Sequence, residues 1–259
     1  MNRKRLKLYA MAAVIIAYMV QGYLLRVLLF FAPRLRERLV CNSIFIWGAM
    51  IRAALGLKVV VTGDRATRRG MLSVSNHPSY LDFFVVPAVS GLCYVSPIDL
   101  TAENRFFNLF VKGIGCILVD RKSRDHQAAE TAQIRATLSN HLNVHFFPEA
   151  KTTDGTEILR FRRPLFAPAV DLDTPVQIIT IQYLALDGVP VTQQTKDDIH
   201  WYRQNPLNQH FFNFLKYRRI DVRVTVAIRS VKELLATHEH IADAAHAIVD
   251  QTFMRYPAA

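Results

Sequence analysis

The feature that most constrains this chain is its apolar opening. MNRKRLK leads into LYAMAAVIIAYMVQGYLLRVLLFFAP, and Leu8 to Leu25 carries Gln21 as its one strongly polar member. That run is long enough to cross the hydrocarbon core of a bilayer as a helix. A second apolar stretch, Ile44 to Leu57, follows RLRERL. No small-residue cleavage site follows the first run, so a removed signal peptide is not expected. Arg3, Lys4, Arg5 and Lys7 stand before it and Arg34, Arg36 and Arg38 after it. Such symmetry gives no orientation by the positive-inside rule. Two helices dipping into one leaflet fit it, and so does a single spanning anchor.

After Leu57 the pattern changes to short β-branched runs alternating with helical stretches. KVVVTG, GMLSVS, LCYVS, CILVD, NVHFF, VQIITIQYL and the alternating IDVRVTVAI read as strands. Residues 78–89, 101–112, 125–139, 163–170 and about 231–253 read as helices. This alternation predicts an α/β domain: a mixed central sheet flanked by helices, with most strands buried on both faces. The expected organisation is a two-helix membrane-associating element over residues 1–57 and an α/β domain over residues 58–259. Residues 187–210, polar and turn-rich, read as a surface excursion. The three cysteines, Cys41, Cys93 and Cys116, show neither metal spacing nor a disulfide framework and read as reduced thiols. The formal charge of +11 suits an anionic partner such as a membrane surface, a nucleic acid or an acidic carrier protein.

One stretch carries chemistry. In VSNHPSYLDFF, Pro78 disfavours helical geometry at His77 and is favoured at a first helical position. His77 is therefore expected to be a helix N-cap at the end of a strand, with Asp82 just over one turn into the helix. Helical side chains lean toward the N-terminus, so the carboxylate can reach back to one ring nitrogen and leave the other as a base. Free N–H groups at the helix start would suit a developing oxyanion. A plain capping residue followed by a helix-favoured acid explains the same residues. His238 and Asp243 share the spacing, but inside a continuous helix five residues turn through about 140°, so that pair is expected to diverge.

Two more stretches favour chemistry. GIGCILVDR ends a buried strand in Asp120 and Arg121, and VHFFPEAKTTDG ends another in Pro148 and Glu149. Ligands of α/β sheets bind at such carboxyl ends. NHPSYLD, GCILVDR and FPEA, in this order, resemble the motifs of the glycerolipid (lysophospholipid) acyltransferases, over roughly residues 58–183. The resemblance implies that His77 is the base, Asp82 its orienter, and Arg121 and Glu149 acceptor-binding residues. Asn76 and Lys151, in the same stretches, join them as substrate-binding candidates.

The implied reaction passes an acyl group from acyl-CoA or acyl-acyl-carrier protein to a lysolipid hydroxyl, without metal or cofactor. It would take place at a membrane, with the site facing the cytoplasm (the inner membrane in a bacterium), and nucleic acid is not an expected partner. 1-Acyl-glycerol-3-phosphate is the leading acceptor. TDG followed by LRFRRPLF resembles a subgroup that includes lyso-ornithine lipid acyltransferases. Two departures stand out: the family glycine after Glu149 is Ala150, and Lys151 replaces the threonine that follows. The loop is expected to shift to accommodate the alanine.

Two other classes remain. A serine hydrolase lacks its G-x-S-x-G, and Ser75 and Ser79 lie too near His77 in sequence to assume a triad. A non-catalytic binder explains the charge but not acids and a base at strand ends. The aromatic and basic stretch 203–219 reads as ordinary surface over core aromatics, with lipid or carrier contact as its alternative.

Overall fold

The computed structural model describes residues 2–65, 69–99, 105–120, 127–202 and 206–257. It opens with two long helices, α1 (Arg3–Leu28) and α2 (Pro33–Leu55). The strands are β1 (Leu57–Gly63), β2 (Leu72–Ser75), β3 (Cys93–Pro97), β4 (Ile117–Val119), β5 (Val144–Phe146), β6 (Val176–Leu186), β7 (Val189–Pro190) and β8 (Ile220–Arg229). They form one mixed sheet in the order β1-β8-β6-β2-β5-β3-β4, with β7 paired to β6. β6, β2, β5, β3 and β4 run parallel, while β8 is antiparallel to β6 and parallel to β1. β2 and β5 are therefore neighbours whose carboxyl ends emerge side by side.

Among the described residues the remaining α-helices are α3 (Asp82–Val85), α4 (Arg105–Gly113), α5 (Gln127–Ser139), α6 (Ala167–Asp171), α7 (Leu207–Phe214), α8 (Val231–Leu235) and α9 (Ile241–Thr252). The helix expected over 231–253 is thus broken in two. Ser230 and Glu233 close a capping box at the start of α8, which ends at Leu235. His238 sits in the intervening turn and not in a helix. Its separation from Asp243, which pairs with Arg160 and Arg163, comes from that turn and not from helical rotation. α7 falls partly in the stretch expected to be an excursion. It buries His210 and Phe214 while Leu207 and Phe212 remain exposed.

The two N-terminal helices do not stand apart from the sheet. Met11, Tyr18 and Met19 of α1, with Ile44, Ile51 and Leu55 of α2, belong to the same apolar cluster as the strands. α1 is also fastened at both ends. Arg3 donates to the carbonyl of Lys216, and Lys7 Nζ donates to those of Leu55 and Tyr217. At the other end Tyr23 donates to Leu109 O and Arg26 to Lys112 O. Between them Gly22 meets Gly113 so closely that a Cβ on Gly22 would lie 1.9 Å from the Gly113 carbonyl oxygen. The helices bear exposed apolar stripes on their outer side, Leu6, Tyr9, Ile16, Val20, Leu24 and Val27 on α1 and Leu35, Leu39, Ile46 and Met50 on α2.

The reading of three reduced thiols is corrected. Cys41 of α2 and Cys93 of β3 form a disulfide, with Cα atoms 5.1 Å apart, and Cys116 stays free. Their separation of 52 residues gave no local signature.

Candidate active site

β2 delivers its chain into Asn76 and His77, and β5 delivers Phe147, Pro148 and Glu149 beside it. The helix does not start at Pro78. Residues 78–81 form a tight turn, and α3 begins at Asp82 and is only four residues long. The turn serves the expected geometry more directly than a helix start would. Asp82 Oδ2 accepts from the backbone N–H of Ser79 at 2.8 Å and lies 2.9 Å from His77 Nδ1. A carboxylate only accepts, so Nδ1 carries the proton and Nε2 presents its lone pair outward. The N–H of Ser79 is consumed by Asp82, so the oxyanion role expected of the helix start finds no support there.

Asp82 is fully buried, and burial raises its pKa; the bonds from His77, Ser79 and Tyr183 oppose that rise. Tyr183 of β6, also fully buried, donates its hydroxyl to Asp82 Oδ1 at 2.8 Å. Sequence reading missed this residue. Its only signal is a tyrosine among aliphatic residues of a strand buried on both faces, where a hydroxyl needs a partner. Phe147 stacks on His77 with ring centroids 3.7 Å apart and an interplanar angle of 12°. Below it lies His145, buried, bonded through Nδ1 to Ser73 Oγ at 2.9 Å. Burial and the nearby His77 ring push the His145 pKa down to about 3, so it is a neutral packing element.

Two of the expected substrate-binding residues are buried and bonded to backbone. Asn76 is buried, its amide oxygen accepting from Ile181 N and its amide nitrogen donating to Ile181 O. It clamps the chain leaving β2 to β6 through both amide atoms. Glu149 is buried too. One oxygen accepts from His77 N at 2.7 Å and the other from Leu159 N at 2.9 Å, so it braces the His77 backbone. Burial pushes its carboxyl up to about 7, against those two backbone bonds. Lys151 lies exposed on the same loop. Arg121 lies outside the described residues.

Ala150 stands at φ 61°, in the left-handed region that favours glycine.

The expected surface excursion is instead a strap packed against the His77 turn. Ser79 Oγ donates to Ile199 O and Trp201 N to Pro78 O, while from the loop after Glu149 Thr153 N donates to His77 O. Lys196 is buried and pairs with Asp154 at 2.8 Å. Burial works against Asp154, but the bonds from Lys196 and Thr156 hold its carboxyl down at about 2. His200 is buried and bonds Tyr256 at 2.9 Å, and burial pushes its pKa down to about 3. Gly155, at φ +69°, leaves room for that ring, since a Cβ there would lie 2.0 Å from His200 Cε1. Among the described residues no group of three or more His, Cys, Asp or Glu side chains could hold a metal ion.

A histidine–aspartate pair thus stands at the carboxyl end of a parallel strand in a mixed α/β sheet. The family model described as Acyltransferase matches residues 58–182, just under half of the chain. A lyso-ornithine lipid O-acyltransferase of Rhodobacter capsulatus is 29% identical over 171 residues, covering 64% of this chain and 59% of that one. A 1-acyl-sn-glycerol-3-phosphate acyltransferase of Neisseria gonorrhoeae is 27% identical over 154 residues, covering 59% of each chain. The match thus spans under two thirds of these relatives' length. The crystal structure of the 1-acyl-sn-glycerophosphate acyltransferase PlsC of Thermotoga maritima shares the fold. Its TM-score is 0.60 at 15% identity, covering 94% of this chain and 96% of that one.

Proposed function

We propose that this protein is an O-acyltransferase that moves a fatty acyl chain from a thioester, acyl-CoA or acyl-acyl-carrier protein, to the free hydroxyl of a lysolipid. The observation that carries the reading is the bond from His77 Nδ1 to the buried Asp82, with Nε2 left open. Nε2 takes the acceptor's hydroxyl proton as its oxygen attacks the thioester carbonyl. The tetrahedral intermediate collapses, the thiolate leaves, and the imidazolium returns the proton to it. Asp82 holds the ring and stabilises its charged form. The substrate supplies the nucleophile, so no acyl-enzyme is required.

The acceptor we favour is 1-acyl-sn-glycerol-3-phosphate, giving phosphatidic acid, with Arg121 gripping the phosphate through its planar fork. A second reading, lyso-ornithine lipid, is favoured by the relatives that bear that name. We place the protein on the cytoplasmic face of a membrane, its outer helix stripes in one leaflet. A helix fastened to one domain at Lys7 and again at Tyr23, about 24 Å apart along its axis, supports lying in the surface over crossing it.

Purified protein offered both donors and a panel of lysolipids tests the reading. His77→Ala is expected to abolish transfer, while His238→Ala leaves it nearly intact. Equal losses in two folded variants would refute the assignment.

A further inference from the structure

A cavity lies at the far end of the sheet from the dyad. It has a volume of about 310 Å³ and opens at the amino ends of β3 and β4, whereas His77 follows the carboxyl end of the parallel β2. Its polar lining is Arg26 of α1, Arg36 and Glu37 of α2, and Gln133, Thr137 and Asn140 from α5 and the residue after it. The Cys41–Cys93 bridge forms part of its wall and holds α2 against β3.

Two guanidiniums against one carboxylate favour an anion. Arg26 uses one nitrogen on the Lys112 carbonyl and keeps further donors. The Arg36 side chain makes no hydrogen bond or ion pair among the described residues, so its whole fork is open. Planar forks suit phosphate oxygens, and the neighbouring amides and hydroxyl suit a small polar headgroup.

Position along the helices identifies the source. Arg26 directly precedes Val27 of the exposed apolar stripe of α1, and Arg36 directly follows Leu35 of the stripe of α2. A sequence neighbour stands about 100° around the helix. Both arginines therefore flank the apolar face, where long side chains reach back to headgroup level.

We propose that this cavity binds the phosphate headgroup of an anionic bilayer phospholipid that is not a substrate, seating the helix pair on its leaflet. The proposal rests on the reading that the outer helix stripes meet the membrane.

The test is co-flotation of the full chain with vesicles of phosphatidylcholine alone and with vesicles partly replaced by phosphatidylglycerol. The wild type is expected to prefer the anionic vesicles. Arg26→Gln/Arg36→Gln is expected to lose about tenfold of that preference while binding neutral vesicles as before. Arg34→Gln/Arg38→Gln removes the same charge from outside the cavity and is expected to lose much less. Equal losses in the two pairs would mean diffuse attraction and overturn the proposal, as would a wild type with no anionic preference. Wild type that binds neither vesicle would overturn the membrane reading itself. If the double variant fails to fold, Arg36→Gln alone decides, because that side chain makes no bond whose loss would unfold the protein. Glycerol phosphate in solution is expected to compete poorly. Full competition at matched concentration would mean a free phosphate ester is the ligand and would overturn the lipid source.

Discussion

Tyr183→Phe isolates the least visible part of the proposed mechanism. The ring stays in its buried slot in β6, and only the hydroxyl that donates to Asp82 Oδ1 is lost. His77 and Ser79 both donate to Oδ2, so the change strips Oδ1 of the donor the structure gives it. A hydrogen bond to a buried charged group is typically worth about 1.5–3 kcal/mol. At 1.36 kcal/mol per unit, that corresponds to at most about one to two pKa units. Burial already raises the Asp82 carboxyl, and the variant removes one of the bonds that oppose it, so the direction is upward. Asp82 faces the Nδ1 proton of His77, and a less satisfied anion holds that proton more tightly. The acid limb of kcat/KM is therefore expected to move to higher pH, by up to about two units. The assay is kcat/KM for a soluble short-chain acceptor across pH, with thermal unfolding to confirm the fold. Tyr94→Phe, whose hydroxyl bonds the Phe83 carbonyl, is the control and should leave the limb in place. A uniform loss of rate with an unmoved limb would refute the role given to Tyr183.

Ala150→Gly should raise the urea midpoint, because relief of the left-handed alanine is worth roughly 0.5–1 kcal/mol after glycine's entropy cost. Glu149→Gln leaves either His77 N–H or Leu159 N–H without an acceptor, an expected loss of about 1–3 kcal/mol in chemical denaturation. The wild-type carboxyl is raised to about 7 from 4.5, so its contribution is full below 4.5 and is lost as pH rises through about 7; the variant should lack that slope. Asp154 has the opposite sign: its depressed value near 2 stabilises the fold above 3.8 and ceases to do so as pH falls toward 2. Asp154→Asn should remove roughly 2 kcal/mol at neutral pH, measured by denaturation, and flatten that acid transition.

Periodicity made the sheet legible. β8 alternates buried and open positions along IDVRVTVAI, and the fully buried LSVS of β2 reads as the interior strand it is. The His77–Asp82 pairing was legible from spacing and from Pro78, although a turn and not a helix brings the two together. What the sequence hid was burial of polar groups. Nothing local tells that backbone N–H and C=O groups await Glu149 and Asn76. Lys196 and His200 sit in a stretch polar enough to read as surface, and their partners Asp154 and Tyr256 lie far along the chain. Tyr183 was hidden for the converse reason, as one hydroxyl in a strand that reads as plain core.

The double fastening of α1 bears on kinetics. A flexible tether would let the reaction centre sweep through the water above the bilayer. A helix held at Lys7 and at Arg26 keeps the dyad at one height and one tilt. Under the proposed reading, encounter with the acceptor then becomes a two-dimensional search. Turnover should follow the acceptor's mole fraction in the leaflet, and diluting the same vesicles into more buffer should leave it unchanged.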